Sequence, residues 1–355
     1  MPLVDGAVIM RPLVRPADIQ IPHSLITTIG LPPEEARAVW HESMGAIYDV
    51  RLRRHEDARF QSRAEAYHLG DVVLTAYHCS AQTFNRSRAR IGRDGIDHYT
   101  LQFCLAGRHG PRESDGSGEA GAGDLLIADL AQRQATATSD FDSLNLTIPR
   151  RLLAPLLVAP DEQNLRVISG KAPLASLFRH HLTGLFRTAR TMTREEAAAV
   201  VGPTLTLAAA VLNAEAPQSR AGVVDPILAA QIRRFLGENL SDPAITPEVV
   251  AARFGISRRK LYYLMEPHGG LTAYLREHRL HRAHALLRDP MQRGRSVAEV
   301  AQSCGFAWRT NFTRTFRAHF GMTPQEARML AAQHAPPALG DLHDRHMWDW
   351  IRMLR

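Results

Sequence analysis

Two similar segments in the last third of this 355-residue chain constrain its fold more than any other feature. Each has a small residue on a first helix, followed four residues later by a glycine: Ala251 and Gly255 in residues 247–264, and Ala301 and Gly305 fifty residues further on. A small alanine allows two helices to cross closely, and glycine tolerates the positive φ angle that ends a helix. The spacing predicts two helix-turn-helix patterns.

Apolar residues occupy the positions that seat the second helix of each pattern. They are Ile256, Leu261 and Leu264 in the first segment, where Val250 lies on the inner face of the first helix, and Val300, Cys304, Phe306, Phe312 and Phe316 in the second, residues 297–316. The sequence of residues 271–287, LTAYLREHRLHRAHALL, predicts a connecting helix of 17 residues, about 26 Å long. That length can place two recognition helices near the roughly 34 Å that separates successive major grooves on one face of DNA.

The net charge of the chain is concentrated in the same region. Residues 225–335 contain 16 basic and 9 acidic residues, whereas the rest of the chain is balanced, so the whole net charge of +7 lies there. Because neutralisation of phosphates drives sequence-independent affinity for nucleic acids, this distribution favours a polyanionic partner. The alternative is a solvated, Arg-rich surface, since only two of the 43 cationic residues are lysines.

The first part of the chain predicts a β-rich segment followed by a helical one, over residues 40–149 and 150–213. Short segments rich in β-branched and aromatic residues are separated by Gly, Asp and Ser clusters, at residues 66–78, 98–105, 124–129 and 142–148. This spacing is typical of an antiparallel sandwich or barrel. The predicted organisation is a domain at residues 1–215, a linker at 216–225, a helical domain at 226–332 and a tail at 333–355.

The helical domain carries a family signature. Between residues 296 and 328 it contains AEVAQSCGF, FTRTFRAHFG and TPQEAR, and residues 226–330 resemble the DNA-binding domain of the AraC/XylS family of bacterial transcription regulators. The match departs at Ala327, where the family commonly has Tyr. The motifs ESMGAIYDV (residues 42–50) and GEAGAGDLLIAD (residues 118–129) are similar to the AraC-binding-like sensor domain of XylS relatives.

This resemblance implies an α+β protein with an N-terminal cupin-like β-barrel and dimerisation helices, and a C-terminal all-α domain with two helix-turn-helix motifs. It implies a sequence-specific regulator, usually an activator, in which a small organic effector changes the relation of the sensor domain to the DNA-binding domain. The implied partners are double-stranded DNA, RNA polymerase and a second copy of the chain. No cofactor, metal or catalytic residue is implied.

Two sets of DNA contacts follow from the resemblance. Arg can engage guanine O6 and N7 with two parallel hydrogen bonds, and Thr can offer a hydroxyl or a methyl group to base edges. The residues predicted to contact bases are Arg258, Arg259, Tyr262, Tyr263, Arg309, Thr310, Thr313 and Arg314. Contacts with the DNA backbone, which position the protein without specifying a sequence, are predicted for Lys260, Arg276 and Arg317. The two tyrosines could instead pack against a neighbouring helix or reach only phosphate.

The effector candidates come from strand alternation, because inward positions of a small barrel alternate along each strand. They are Tyr67, Tyr77, His98 and Phe103, and each is equally compatible with a place in the core.

Two alternative functions remain open. A cupin-type metalloenzyme would need His and Glu ligands on the strands, but no H-x-H group occurs among His68, His78, His98 and His109. The other alternative is a regulator that senses a protein partner. The connecting helix carries three histidines, His278, His281 and His284. Because no carboxylate or cysteine joins them at ligand spacing, we expect them to be solvated or to face DNA rather than to bind a metal ion.

The remaining features concern location and the C-terminus. Three cysteines without C-x-x-C spacing fit a reducing compartment, and no apolar run approaches the roughly 18 residues of a membrane span. A cytoplasmic protein without a membrane segment is therefore predicted. Residues 347–354, MWDWIRML, predict a short amphipathic helix that lies beyond the family match and has no assigned role.

Overall fold

The computed structural model describes residues 21–52, 60–113, 118–214, 226–306, 309–333 and 346–354. The chain divides into two compact units. The first unit comprises residues 1–87, 96–215 and 336–355, and the second comprises residues 88–95 and 216–335. Each unit thus takes in a segment that the linear sequence analysis assigned elsewhere. The predicted linker, residues 216–225, lies outside the described residues, as does most of the predicted tail before residue 346.

The strands all belong to the first unit. They are β1 (His23–Thr27), β2 (Asp49–Leu52), β3 (Ser62–His68), β4 (Val73–Cys79), β5 (Gln82–Arg86), β6 (Tyr99–Ala106), β7 (His109–Pro111), β8 (Leu125–Asp129), β9 (Gln134–Thr138), β10 (Phe141–Ile148) and β11 (Arg166–Ile168).

The strands form two antiparallel sheets. One has the order β1-β3-β4-β10-β6-β8-β11 and the other the order β2-β5-β9-β7. Within the described strands no hydrogen-bonded pair joins the two sheets, so the ring closure of a barrel is not found there. The prediction of a β-rich first domain is confirmed.

The helices are distributed along the whole chain. They are α1 (Pro33–Met44), α2 (Arg88–Asp94), α3 (Arg150–Leu153), α4 (Pro173–Thr188), α5 (Arg194–Ala214), α6 (Pro226–Glu238), α7 (Pro247–Arg253), α8 (Arg258–Met265), α9 (Leu271–Arg288), α10 (Val297–Ser303), α11 (Arg309–Phe320), α12 (Pro324–Gln333) and α13 (Met347–Met353).

The larger sheet separates two apolar regions of the first unit. Phe103, Leu125 and Leu144 on one face pack in a single cluster with Phe178 of α4 and Leu212 of α5. The opposite face meets the smaller sheet, α1 and α13. Strand residues alternate between the faces, so each strand contributes to both regions.

Helix α5 is the one described helix that is long and apolar enough to cross a membrane, with a mean hydropathy of 1.6 over its most apolar 18 residues. No such segment was predicted from the sequence. Ala208, Val211 and Leu212 of α5 are buried against the larger sheet, which is the packing of a core helix.

The second unit contains two helix pairs, α7 with α8 and α10 with α11, on either side of α9. Serine hydroxyls cap two of these helices: Ser257 Oγ accepts from Lys260 N at 3.1 Å, and Ser296 Oγ accepts from Glu299 N at 3.1 Å. The turn glycines have the expected positive φ, 61° at Gly255 and 79° at Gly305. The predicted seat residues are buried, apart from Ile256 and Phe306, which are half-buried.

Helix α2 packs on the second helix pair, although it lies between two strands of the first unit in sequence. Ile91 joins the cluster of Phe312, Phe316 and Phe320. His284 Nε2 donates to the Gly92 carbonyl oxygen at 2.7 Å. The expectation that His284 is solvated or DNA-facing is therefore wrong, because α2 covers that face of α9.

Candidate nucleic-acid interface and internal cavity

Helix α8 presents a polar and aromatic surface opposite its buried face. Leu261 and Leu264 are buried, whereas Arg258, Arg259, Tyr262 and Tyr263 are exposed. Arg258 Nη1 lies 3.1 Å from Glu248 Oε1 on α7. Arg259 Nη2 donates to Tyr263 Oη at 3.2 Å, and its guanidinium carbon lies 5.7 Å from the Tyr263 ring centroid. All four side chains predicted to contact bases from this helix are thus accessible, and neither tyrosine is buried against a neighbouring helix.

Helix α11 has the same two-sided character. Phe312 and Phe316 are buried, whereas Arg314 is exposed and Thr313 is half-buried. Arg309 and Thr310 form the beginning of α11, but their side chains lie outside the described part of the structure.

The predicted backbone contacts lie at the edges of these surfaces. Arg317, two turns after Arg309, is exposed, and so is Arg276 on α9, while Lys260 is half-buried. Arg279 has a different function: its guanidinium donates to the carbonyl oxygens of Leu240 and Asp242, each at 2.7 Å. Burial lowers the pKa of Arg279. This arginine holds the chain between α6 and α7 against α9.

A cavity of about 70 Å³ lies between the two sheets of the first unit. Its strand residues recur at every second position, at Thr100 and Gln102, Leu126 and Ala128, Gln134 and Thr136, and Asn145 and Thr147. The aromatic walls come from Trp40, Tyr48, Tyr77, Phe84, Phe141 and Trp348.

The polar groups of the cavity wall form short hydrogen-bond chains. Gln102 Nε2 donates to His109 Nδ1 at 2.9 Å, and His109 Nε2 in turn donates to Thr136 Oγ1 at 2.9 Å. Burial lowers the pKa of His109 to about 4, so its imidazole is neutral near pH 7. Tyr48 Oη donates to Gln134 Oε1 at 3.0 Å.

Of the four predicted effector residues, the structure places one on the cavity. Tyr77 lines it. Phe103 lies on the opposite face of β6 and packs against Phe178 of α4, because its position is odd where the cavity residues of that strand are even. Tyr67 Oη donates to Glu65 Oε1 in the core under α4, and His98 Nε2 donates to the Ile351 carbonyl oxygen of α13. The prediction that Tyr67, His98 and Phe103 line the cavity is therefore wrong, because all three pack in the interior away from it.

The histidines considered for a metalloenzyme have separate partners in the structure. His68 packs on Trp350, and His78 contacts Asp142. His98 and His109 bond to the main-chain and side-chain groups given above, so these four side chains do not converge.

One other group of the described residues has metal-binding geometry. The possible ligand atoms of Glu277, His281 and His319 lie within 4.8 Å of one another, with the two histidine Nε2 atoms 3.3 Å apart. Glu277 lies one turn before His281 but was not predicted as a ligand, and no local pattern in the sequence places His319 beside them. These three side chains could hold a divalent metal ion.

Comparison with known proteins identifies both units. An AraC-binding-like domain model matches residues 36–213, and a helix-turn-helix domain model matches residues 250–329. The chain belongs to the AraC/XylS family of transcription regulators. Like other members, this AraC/XylS regulator combines a sheet-rich first part with a helical DNA-binding part.

Relatives of this AraC/XylS regulator include several transcription activators. Transcriptional activator NphR of Rhodococcus sp. is 25% identical over 308 residues, which are 82% of this chain and 88% of NphR. The HTH-type transcriptional activator RhaS of Escherichia fergusonii is 41% identical over 87 residues, 24% of this chain and 30% of RhaS. The XylDLEGF operon transcriptional activator of Pseudomonas putida is 35% identical over 98 residues, 27% of this chain and 30% of that protein.

A solved structure supports the same assignment. The crystal structure of the AraC-like transcriptional activator CuxR superposes with a TM-score of 0.51 and 28% sequence identity, covering 79% of this chain and 100% of CuxR. The chain is therefore a DNA-binding transcription regulator of the AraC/XylS type with an effector-binding domain.

Proposed function

We propose that this regulator contacts two successive major grooves of one DNA site through α8 and α11, and that a small organic effector in the first unit controls the activation of transcription. The observation that carries the proposal is the pair of exposed basic helix faces, α8 with Arg258 and Arg259 and α11 with Arg314 and Arg317, in the segment that holds the whole net charge. In this proposal each helix pair is a helix-turn-helix motif.

In this proposal some residues of α8 and α11 contact bases and others contact phosphates. Arg258 and Arg309 stand at the beginnings of α8 and α11, where recognition helices approach base edges. Arginine binds guanine O6 and N7 in parallel, which gives sequence preference. Arg317, further along α11, meets phosphate, and such contacts set position and salt dependence.

We propose the following organisation for the rest of the molecule. Residues 1–215 form a cupin-like sensor and dimerisation domain, residues 216–225 form the linker, and residues 226–332 form the DNA-binding domain. Helices α4 and α5 pair two copies of the chain, which binds DNA as a homodimer in the cytoplasm and contacts RNA polymerase. The curated relatives support a regulator rather than an enzyme, because NphR, RhaS and the XylDLEGF activator are all described as transcriptional activators.

Replacing Arg309 and Arg317 separates base recognition from positioning. Arg309→Ala should weaken binding to the cognate site by about 1 to 3 kcal/mol and flatten discrimination at one base position. Arg317→Ala should weaken binding to all sequences equally and reduce the slope of log affinity against log salt by about one. The measurement is a set of binding isotherms for both variants on cognate and scrambled duplexes at two salt concentrations.

The two variants serve as controls for each other, because both remove one positive charge from α11. If Arg309→Ala lowered the affinity for both duplexes by the same factor, Arg309 would be a phosphate contact or a structural residue. The proposed base-contacting face of α11 would then be wrong.

A further inference from the structure

The C-terminal helix α13 forms part of the wall of the cavity in the first unit. Trp348 and Ile351 of α13 line the cavity together with Trp40 and Met44 of α1 and with residues of both sheets. Part of the cavity wall thus comes from a helix that follows α12 of the second unit by thirteen residues in sequence.

Specific contacts hold α13 in this place. His98 Nε2 donates to the Ile351 carbonyl oxygen at 2.7 Å, and Met347 N donates to Ser24 Oγ at 3.3 Å. Trp350 is fully buried and meets the His68 ring edge-on at 5.7 Å between centroids. The helix is thus docked through its backbone and its side chains, at a defined position.

Two residues that line the cavity each have a buried polar atom with no hydrogen-bond partner within the described structure. The atoms are Asn145 Oδ1, an acceptor on β10, and Trp348 Nε1, a donor on α13. The two residues are only 8% and 6% exposed. Trp40 differs from Trp348 in this respect, because its Nε1 donates to Gln82 Oε1 at 2.8 Å. Buried polar atoms normally have partners, so an unpaired donor and an unpaired acceptor on one cavity point to a ligand with both kinds of group.

The chemistry of the wall limits the charge and shape of that ligand. None of the described lining residues carries a formal charge near neutral pH, since the single histidine among them, His109, is neutral. A buried anion there would lose its hydration without a compensating positive side chain. The aromatic rings of Trp40, Tyr77, Phe84 and Phe141 favour a ring compound.

The size of the cavity implicates α13 in ligand entry. The volume of about 70 Å³ is half of the roughly 150 Å³ of an engineered cavity that binds benzene. A ring compound therefore requires displacement of part of the wall. Strand residues are fixed by backbone hydrogen bonds to neighbouring strands, whereas α13 is a separate seven-residue helix outside both sheets.

We propose that α13 is a movable wall of a binding site for a small uncharged ring compound, which accepts a hydrogen bond from Trp348 Nε1 and donates one to Asn145 Oδ1. This inference rests on the proposed function, because it places the effector of the regulator in this cavity. It gives the C-terminal helix α13 a function in admitting the ligand.

The test uses the full chain and three probes of similar size: benzyl alcohol, which is uncharged and can both donate and accept, toluene, which can do neither, and benzoate, which is an anion at pH 7. Calorimetric titration should show benzyl alcohol binding at least tenfold more tightly than either of the other two. Trp348→Phe and Asn145→Leu should each weaken benzyl alcohol binding about tenfold. Arg352→Met, at an exposed position of the same helix, is the control and should change it less than twofold.

A second measurement on the same samples addresses the movement of the wall. Hydrogen exchange of the α13 amides should change at least threefold when benzyl alcohol binds, while exchange in α8 stays the same within that limit. The inference is overturned if benzyl alcohol does not bind, if benzoate or toluene binds equally well, if both cavity variants bind like the wild type, or if α13 exchange is unaffected. DNA binding by the same protein separates the two failures: its loss overturns the proposed function, and its retention with no ligand binding overturns only this inference.

Discussion

Gly305→Ala should destabilise the second unit by about 3 to 5 kcal/mol, because it combines an unfavourable backbone conformation with a steric clash. Gly305 has a φ of 79°, where a residue with a Cβ atom costs roughly 1 to 2 kcal/mol. A Cβ atom there would also lie 2.8 Å from the Leu240 carbonyl oxygen and 2.8 Å from Arg279 Nε. Those two atoms form a hydrogen bond of 2.7 Å, which the new methyl group would disrupt.

Gly255→Ala is the matched control, because Gly255 occupies the equivalent turn of the first helix pair. Its φ is 61°, but an added Cβ atom would have no neighbour within 4 Å. We expect a loss of about 1 to 2 kcal/mol, from the backbone conformation alone. Urea unfolding followed by circular dichroism gives both values, and equal losses at the two positions would contradict the packing assigned to the second turn.

The second large effect concerns the buried pair of Glu65 and Arg190 in the first unit. Arg190 Nη2 donates to Glu65 Oε1 at 2.8 Å, and the two residues are 8% and 2% exposed, respectively. Tyr67 Oη and Arg63 Nη2 also donate to the Glu65 carboxylate. Arg190→Met would leave Glu65 buried without this partner, so we expect a loss of about 3 to 5 kcal/mol at pH 7. The readout is again urea unfolding.

The pH dependence of this loss has a defined sign. Burial raises the pKa of Glu65, but hydrogen bonds from His23, Arg190 and Arg63 outweigh it and lower the pKa to about 2. Because this is below the pKa of about 4.5 of an unperturbed Glu, the carboxylate stabilises the wild-type fold above pH 4.5, and that stabilisation of about 3 kcal/mol is lost as the pH falls towards 2. In Arg190→Met the carboxyl group is protonated more easily, so the difference between variant and wild type should shrink from pH 7 to pH 4.

Arg151→Met is the control for the buried pair. Arg151 Nη2 lies 2.8 Å from Asp71 Oδ1, the same distance as in the buried pair, but the side chains are 50% and 60% exposed. Solvent screening limits such a pair to less than about 1 kcal/mol. A loss at Arg190 as small as that at Arg151 would show that the Glu65 network does not hold the turn after α4 against the sheet.

The sequence predicted the helical domain more completely than the cavity, for physical reasons. The positions of Ala251, Gly255, Ala301 and Gly305 specify close helix crossings and turns within twenty residues, so local spacing is sufficient. Strand β6 alternates apolar residues (Tyr99, Leu101, Phe103) with more polar ones (Thr100, Gln102), but its local pattern does not show which of these two faces packs on α4 and which lines the cavity. The face of β6 that lines the cavity was therefore not predictable from the sequence.

Long-range contacts account for the other differences. His98 and Ile351 are 253 residues apart in sequence, and His284 and Gly92 are 192 apart. No local pattern connects such pairs. The spacing of MWDWIRML did predict a short amphipathic helix, and the structure places Trp348 and Ile351 of that helix on the cavity between the two sheets.

The central claim, sequence-specific DNA binding through two helix pairs, is tested most directly by selection from a random pool of DNA duplexes with the full chain at physiological salt. We predict enrichment of a site in which each copy of the proposed homodimer accounts for two conserved elements about 10 base pairs apart, centre to centre, as expected for two major grooves on one face of the duplex. Enrichment of a site with a single element for each copy would contradict the use of both helix pairs, and a pool without any enriched sequence would contradict sequence-specific binding itself.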